Sequence, residues 1–428
     1  MTARFRSDAA DPLGWCLALA AGFFAIVLIR LGIPSKPMFD EVHYLPAARN
    51  LLELSKAINR EHPLLGKEVL AGAMALFGDT PWGWRIPQAA MGTVGLFVAM
   101  RTVWLASRSQ ASTVLFGLLL ATDFTWFIQS RIAMLDMTMA FCLAIALWQA
   151  VAAWRSDRRG RLHLVLAGTF LGLSLAAKWT SMPLLVLPGL AFAWLRWRAL
   201  PGRSAEFLIA KDVGPVRGVS LLEAALWLGL LPVVVYFATF VPYYFFAERN
   251  LKSFGDLFWL QGKMVALQDS VVKPHTYMSR WWQWVLNVRP IWYLYENVDG
   301  AQRGVLLLGN PFTMLAALPA LLWCAWKGLR GDGVKLAVFV LYFVAVVFWA
   351  FNGKPVQFYY HYLIAAAFAV AALALVVGEW WNAGRRWPAL VTSGAAVLFF
   401  VWFFPILSAA KLPSKDSFKT YTWLVTWR

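Results

Sequence analysis

Eleven stretches of this chain stay apolar long enough to be read as membrane spans. They fall near 13–32, 86–106, 111–127, 132–154, 162–177, 181–197, 219–247, 306–326, 334–351, 361–379 and 388–410. About 20 apolar residues in a helix cross a hydrocarbon core roughly 30 Å thick. The pattern therefore predicts an all-α polytopic membrane protein with about eleven transmembrane helices. Two polar segments between the runs are long, 33–85 and 248–305. Within the first, 46–57 and 66–77 mix apolar and polar residues at helical spacing, with Glu53 and Lys56 on the wet side. That predicts short amphipathic helices lying on the membrane surface. The chain thus divides into an N-terminal transmembrane region, 1–247, carrying the 33–85 loop, and a segment 248–428 in which a second loop precedes four spans.

Charge then assigns the sides. Short loops rich in Lys and Arg stay in the cytoplasm. Arg155–Arg161, Lys327–Arg330, the stretch 196–217 and Arg385-Arg386 alternate with the remaining connections in the way this rule requires. With a cytoplasmic N-terminus, the 33–85 and 248–305 loops and the C-terminal tail fall outside. No small-residue cleavage site follows the run after Arg6, so the first run reads as a retained helix.

Composition agrees with lipid as the solvent. Of 428 residues, 60% are hydrophobic and 14% charged, against about 25% charged in soluble domains. The net charge of +17 resides in the loops, as it does beside anionic headgroups. No basic and aromatic module stands outside the apolar runs, which argues against nucleic acid as a partner. Cys16, Cys142 and Cys324 lie inside apolar runs without CxxC spacing or a neighbouring His, so neither a disulfide framework nor a metal site is predicted.

Ionisable residues beside membrane spans usually line cavities or interfaces, and five clusters of them fall on the external side. Asp40-Glu41 follows the first span. Adjacent carboxylates can divide the work of accepting a proton and orienting a substrate, although an acidic pair at a helix N-terminus would look the same. Glu61-His62-Pro63-Leu64-Leu65-Gly66-Lys67 sets a turn in which His62 and Lys67 can face one point; an interfacial lysine extending toward headgroups is the plainer reading of Lys67. Arg131 and Asp136 bracket the start of a span, either as a buried pair or with the Arg131 fork turned to a phosphate. Lys178-Trp179 lies between two spans, and Arg289-Pro290-Ile291-Trp292-Tyr293 closes the second loop. Together the clusters suit an anionic lipid headgroup with a general base beside it.

In this order the clusters resemble the protein O-mannosyltransferase family, membrane glycosyltransferases of the GT-C class. The resemblance runs from Asp40-Glu41 through 61–67, Arg131 to Asp136 and Lys178-Trp179 to the Arg289 segment, which looks like the family's C-terminal four-span region. It departs at Leu64, where the family usually has a second proline, and in the 248–305 loop, too short for the β-trefoil MIR domain of eukaryotic members. A bacterial-type member is implied. The resemblance implies inverting transfer of mannose, or a related sugar, from a polyprenyl phosphate to Ser or Thr hydroxyls of a polypeptide crossing the plasma membrane. Asp40 would be the base and Glu41 its support. Arg131, Lys67, Lys178, His62, Asp136 and Arg289 would bind substrate, with no metal or other cofactor. Two alternatives stay open: the same chemistry on lipid A or another envelope glycan, and a transporter. The apolar runs show no paired halves of the kind transporters have.

Overall fold

The computed structural model describes residues 10–200 and 206–428. The N-terminal residues 1–9 and part of the 196–217 segment, on which the sidedness argument also drew, lie outside the described residues. Apolar helices account for about half of the described residues. They are α1 (Leu13–Leu28), α4 (Pro81–Ser107), α5 (Gln110–Ala121), α7 (Leu135–Arg155), α8 (Gly160–Ala177), α9 (Leu187–Ala199), α10 (Leu221–Tyr244), α12 (Pro311–Leu329), α13 (Gly333–Phe351), α14 (Leu363–Asn382) and α15 (Trp387–Leu407). Between them lie α2 (Glu41–Leu52), α3 (Leu65–Phe77), the short α6 (Phe124–Gln129) and α11 (Gly255–Asp269).

Eight helices among the described residues, α4, α7, α8, α10 and α12 to α15, are long and apolar enough to cross a membrane. Three of the eleven predicted spans do not form single helices of that length. The first is 16 residues long. The run 111–127 breaks at Thr122-Asp123, where the Asp123 carboxylate accepts the Trp126 N–H at 2.9 Å and starts α6. The run 181–197 breaks around Val186, between Pro183 and Pro188, because proline leaves a carbonyl of the preceding turn without a partner. The two surface helices are present. The first begins five residues earlier than its periodicity suggested, at Glu41 rather than 46.

One element departs from the all-helical expectation. Residues Ile291–Val298 (β1) and Ala301–Leu307 (β2) pair as an antiparallel hairpin. Its two-residue turn is Asp299-Gly300, with both φ angles positive, 52° and 70°. Asp-Gly is the pair that such a turn favours, and the flanking aromatic and β-branched residues fit a strand. The signal stood in the sequence beside the Arg289 cluster. The span that follows the second loop accordingly starts at Pro311, not 306.

α14 is enclosed on nearly every face, whereas α13 and α15 turn residues such as Phe343, Leu398, Val401 and Trp402 outward. A helix apolar all round belongs inside a bundle, and outward apolar faces belong to lipid. α7 packs along α4 and α8, and α8 along α10. The last contact rests on Gly168 and Gly172, four residues apart, which admit the α10 backbone. A Cβ on Gly168 would stand 1.8 Å from the Trp227 carbonyl oxygen, and one on Gly172 2.5 Å from that of Pro232. Small residues at this spacing let membrane helices approach closely. The Gly168→Leu variant should therefore lose thermal stability in detergent, by about 1–3 kcal/mol or more. Gly22→Leu, on an α1 face with open space, should not; equal melting temperatures for the two would refute the packing role.

Candidate active site

The site is assembled where regular helices stop. At Phe39 the backbone enters the left-handed region, φ 49°, a conformation that costs energy for a non-glycine residue and is concentrated at functional sites. The Phe39 ring stacks on Tyr293, centroids 4.3 Å apart. The next two residues, the acidic pair, meet opposite fates.

Glu41 is fully buried and fully bonded. Its Oε1 accepts from Arg85 Nε at 2.8 Å and from the Ala133 N–H at 2.8 Å; its Oε2 accepts from Arg85 Nη2 at 2.8 Å and from the Met38 N–H at 2.9 Å. Arg85 is equally buried and also donates to the Leu31 and Pro34 carbonyls. No lone pair of Glu41 is left for an acceptor substrate, so its role is to fix the loop. Asp40 occupies the N-cap position of α2 but makes no capping hydrogen bond, which removes the structural explanation for its charge. Its one side-chain partner is the Tyr44 hydroxyl, at a long 3.5 Å. The carboxyl is partly accessible, yet burial has removed enough water to push its pKa above the usual carboxylate range, against the pull of Lys178.

Around Asp40 stand Asp136, in the first turn of α7, and Lys178, just past the end of α8. Lys178 Nζ donates to Asp136 Oδ2 at 2.7 Å and lies 4.5 Å from the centre of the Tyr360 ring. This corrects the expected Arg131–Asp136 pair: Asp136 is neutralised from α8 instead. The other oxygen, Asp136 Oδ1, is buried without a partner. So is Gln129 Oε1, whose amide nitrogen donates to the Tyr293 hydroxyl at 3.0 Å. Tyr293 reaches this point because the hairpin register slips between Trp292 and Leu294, leaving it as the extra residue. Bulges re-aim side chains in this way.

A second cation completes the recess. Lys354, in the short connection before α14, is largely enclosed, and none of the described acidic groups forms an ion pair with its ammonium. Burial brings its pKa down to about 8, reinforced by Lys178 and opposed by Asp40 and Asp136. His62 packs edge-on against Tyr44, ring centroids 5.7 Å apart. Burial, then Lys178 and Lys354, hold its pKa well below the usual value, so its ring is neutral.

Of the residues singled out in the sequence, Asp40, His62, Asp136 and Lys178 therefore converge. Three others are engaged elsewhere. Lys67 Nζ is bound by the Asn59 and His62 carbonyls at 2.7 and 2.9 Å, clamping their loop. Arg131 donates to the Val27 carbonyl and covers the Phe127 ring, with Arg30 and Arg85 as its charged neighbours. Arg289 joins the carbonyls of Thr276 and Thr426, tying the C-terminal tail to the second loop. Sequence reasoning passed over Lys354, and it included Tyr293 in the Arg289 segment and Gln129 ahead of Arg131 without giving either a role. An Asn-Gly-Lys-Pro turn directly before a span would have pointed to the first.

A partly accessible carboxylate between two lysines can accept a proton from a hydroxyl while the lysines hold an anion. Residues 17–244 match the family model described as dolichyl-phosphate-mannose-protein mannosyltransferase, and residues 253–427 match that of the C-terminal four-span region of protein O-mannosyltransferase. The chain belongs to the protein O-mannosyltransferase family. It is a glycosyltransferase and an integral membrane protein. Polyprenol-phosphate-mannose–protein mannosyltransferases of Mycolicibacterium smegmatis and Mycobacterium tuberculosis are each 26% identical over 97% of this chain, covering 93% and 92% of their own lengths. The Corynebacterium glutamicum protein of the same name is 25% identical over 99% of this chain and 95% of its own. The fold is that of the Saccharomyces cerevisiae Pmt1–Pmt2 complex bound to the sugar donor (TM-score 0.82, 15% identity, 98% of this chain and 93% of that one). It is also that of Cupriavidus metallidurans ArnT bound to undecaprenyl phosphate (TM-score 0.59, 15% identity, 95% and 78%). This likeness establishes the GT-C architecture.

The two carboxylates of the acidic pair should separate in experiment. Glu41→Gln breaks a buried pair and leaves Arg85 uncompensated, so it should destabilise the protein by about 3–5 kcal/mol. Asp40→Asn, which removes no capping bond, should melt within about 1 kcal/mol of the parent. Comparable losses in thermal denaturation would contradict this division.

Proposed function

We propose that this protein transfers mannose from a polyprenyl phosphate to Ser or Thr hydroxyls of exported polypeptides, with Asp40 as the general base. The carrying observation is the contrast within the acidic pair: Glu41 is saturated by Arg85 and two backbone N–H groups, while Asp40 is uncapped and open beside Lys178 and Lys354. The acceptor hydroxyl gives its proton to Asp40 as its oxygen bonds the sugar C1. The C1–O bond to phosphate breaks, and the electron pair leaves with the lipid phosphate. Phosphate is a good leaving group, so cations that meet its growing charge matter more than an acid. Lys178 and Lys354 fill that role here, in place of Arg131 and Lys67. The buried oxygens of Asp136 and Gln129 accept sugar hydroxyls, which would satisfy groups otherwise costly to leave unpaired. His62, held neutral by burial, lines the acceptor side. No metal enters the scheme.

An apolar cleft of about 340 Å³ opens beside Trp179, the residue after Lys178, and is lined by Leu175, Tyr236 and Val265. An isoprenoid chain seated there would keep its phosphate within reach of the lysine. The same catalytic apparatus acting on a lipid or glycan acceptor is supported by the likeness to ArnT only at the level of fold. The names of the near-full-length relatives favour a protein acceptor. The reading places the protein in the plasma membrane with Asp40 on the extracytoplasmic face. A reporter fused after Arg428 should then be active only outside the cytoplasm.

Asp40→Asn should reduce sugar transfer by roughly 10²–10⁴-fold in protein that remains folded; near-parental turnover would remove Asp40 as base. The pH dependence carries a second test. Activity should rise as pH passes the elevated Asp40 pKa, because the base must be ionised. It should fall again near pH 8 as Lys354 loses its proton. Lys354→Arg keeps the cation charged and should move that alkaline limb upward, and an unmoved limb would exclude Lys354.

A further inference from the structure

A two-stranded hairpin is marginally stable by itself, and β1–β2 carries a bulge at the very residue that reaches the active recess. Tyr293 is the extra residue between Trp292, paired with Leu306, and Leu294, paired with Val305. Its ring stacks on Phe39 at 4.3 Å, and its hydroxyl accepts from Gln129 Nε2 at 3.0 Å. The ladder leaves a bulged residue unpaired, and a slip of one residue would withdraw Tyr293 from both contacts. The register needs a support outside the hairpin.

The segment after α15 supplies it. Residues three apart on a regular strand point to opposite faces. Across the bulge, Trp292 and Tyr295 instead share a face, with ring centroids 4.8 Å apart. The segment 411–427 binds both. Trp292 Nε1 donates to the Trp427 carbonyl at 3.3 Å. The Tyr295 hydroxyl donates to the Lys415 carbonyl at 2.8 Å and accepts from the Phe418 N–H at 3.0 Å. These bonds form together only while the bulge is in place.

Two clamps fasten the segment just ahead of β1. Trp427 is buried, and its Nε1 donates to the Asn287 carbonyl at 2.9 Å. Arg289 donates to the Thr426 carbonyl at 3.1 Å and to that of Thr276 at 2.7 Å. Hydrogen bonds from a charged donor are the stronger kind. β2 is tied as well, the Leu412 N–H donating to the Gln302 carbonyl at 2.9 Å. Against α15 the Trp423 ring packs edge-on to Phe403, centroids 4.9 Å apart.

We propose that the segment 411–427 is a strap that shapes the active recess through the bulge. Arg289 and Trp427 are positioning residues for Tyr293, and Tyr293 in turn orients Gln129 toward the donor sugar. The sugar contact rests on the reaction proposed above; the coupling of strap to recess does not. With its amide nitrogen bonded to Tyr293, Gln129 cannot flip, so the buried and unpartnered Oε1 is the atom presented. Loss of the Tyr293 hydroxyl, or of the register that brings it there, frees the amide to turn.

The test compares the purified full-length protein with Arg289→Gln, Trp427→Ala, Tyr293→Phe and the double variant that combines Arg289→Gln with Tyr293→Phe. Arg289 is partly exposed, so its variant decides the question even if Trp427→Ala does not fold. Hydrogen–deuterium exchange is read first, without substrate. Arg289→Gln and Trp427→Ala should speed exchange in β1 and in the peptide containing Phe39, and leave α13 unchanged. Parental exchange at those two places would overturn the strap, whatever the enzyme does. Kinetics with polyprenyl-phosphate-mannose and a Ser/Thr peptide follow. Arg289→Gln and Tyr293→Phe should each raise the donor KM by about 2–10-fold, with a smaller change in kcat. Because both act on one group, the double variant should be no worse than the worse single one. Fold-changes that multiply would show Arg289 acting independently of Tyr293 and refute the route through it. A parent without sugar transfer would strike the reaction alone, and the exchange comparison would still decide the strap.

Discussion

The buried ion pair of Glu41 with Arg85 is the constraint on which the rest of the site depends. It joins three otherwise separate pieces of chain: the loop leaving α1, the start of α4, and the turn at Ala133 that precedes α7. Neither charge has access to water. Such a pair holds only when every remaining lone pair and proton is satisfied, and here four donors meet the two carboxylate oxygens. The geometry leaves Glu41 no freedom, and through the adjoining peptide it fixes where Asp40 can be. One residue of an acidic pair is thus spent on position, and its neighbour is left with only the long contact to the Tyr44 hydroxyl.

The same logic explains why the site lies at helix ends. Irregular backbone at the depth of a membrane is tolerated only where protein or a lined cavity satisfies its polar groups. Here the break at Asp123 is capped by that residue's own carboxylate, and it leads through α6 to Gln129, the Arg131 turn and Asp136. The end of α8 delivers Lys178, and the connection before α14 delivers Lys354. The break at Asp123 and these two helix ends thus each lead to a polar group in the recess.

This is also where the sequence was and was not legible. The membrane class, the paired surface helices and the family resemblance follow from apolar run length and from the order of charged clusters, and all three are present. Run length cannot register a break such as Thr122-Asp123, because both halves are apolar. Neither could it register the hairpin, whose Asp299-Gly300 turn was masked by reading the segment as loop. Side-chain partners were least accessible. Arg131 and Asp136 are five residues apart, yet Asp136 meets Lys178, 42 residues further on. Charge type and proximity in sequence suggested Lys67 and Arg289 as ligands for substrate, but carbonyl oxygens in folded loops claimed both. What separates Asp40 from Glu41, or Lys178 from Lys67, is the set of atoms already bonded to each, and that is a property of the fold.

Charge in the recess also suggests an order of events on the proposed reading. With Asp40 and Asp136 ionised and Lys178 and Lys354 protonated, the four groups sum to zero. A phosphodiester donor adds one negative charge near Asp40, and a like charge makes a carboxylate hold its proton more tightly. Donor binding would therefore strengthen the base just when an acceptor hydroxyl needs it. It would also draw Lys354 further toward its protonated form. When the sugar leaves, the lipid phosphate gains negative charge as Asp40 becomes protonated and neutral. Asp40 must then release that proton to solvent through its partly accessible face, and doing so restores a repulsion that expels the spent carrier. A carboxylate sealed as tightly as Glu41 could not complete that cycle, which is a physical reason for the two neighbours to be built so differently.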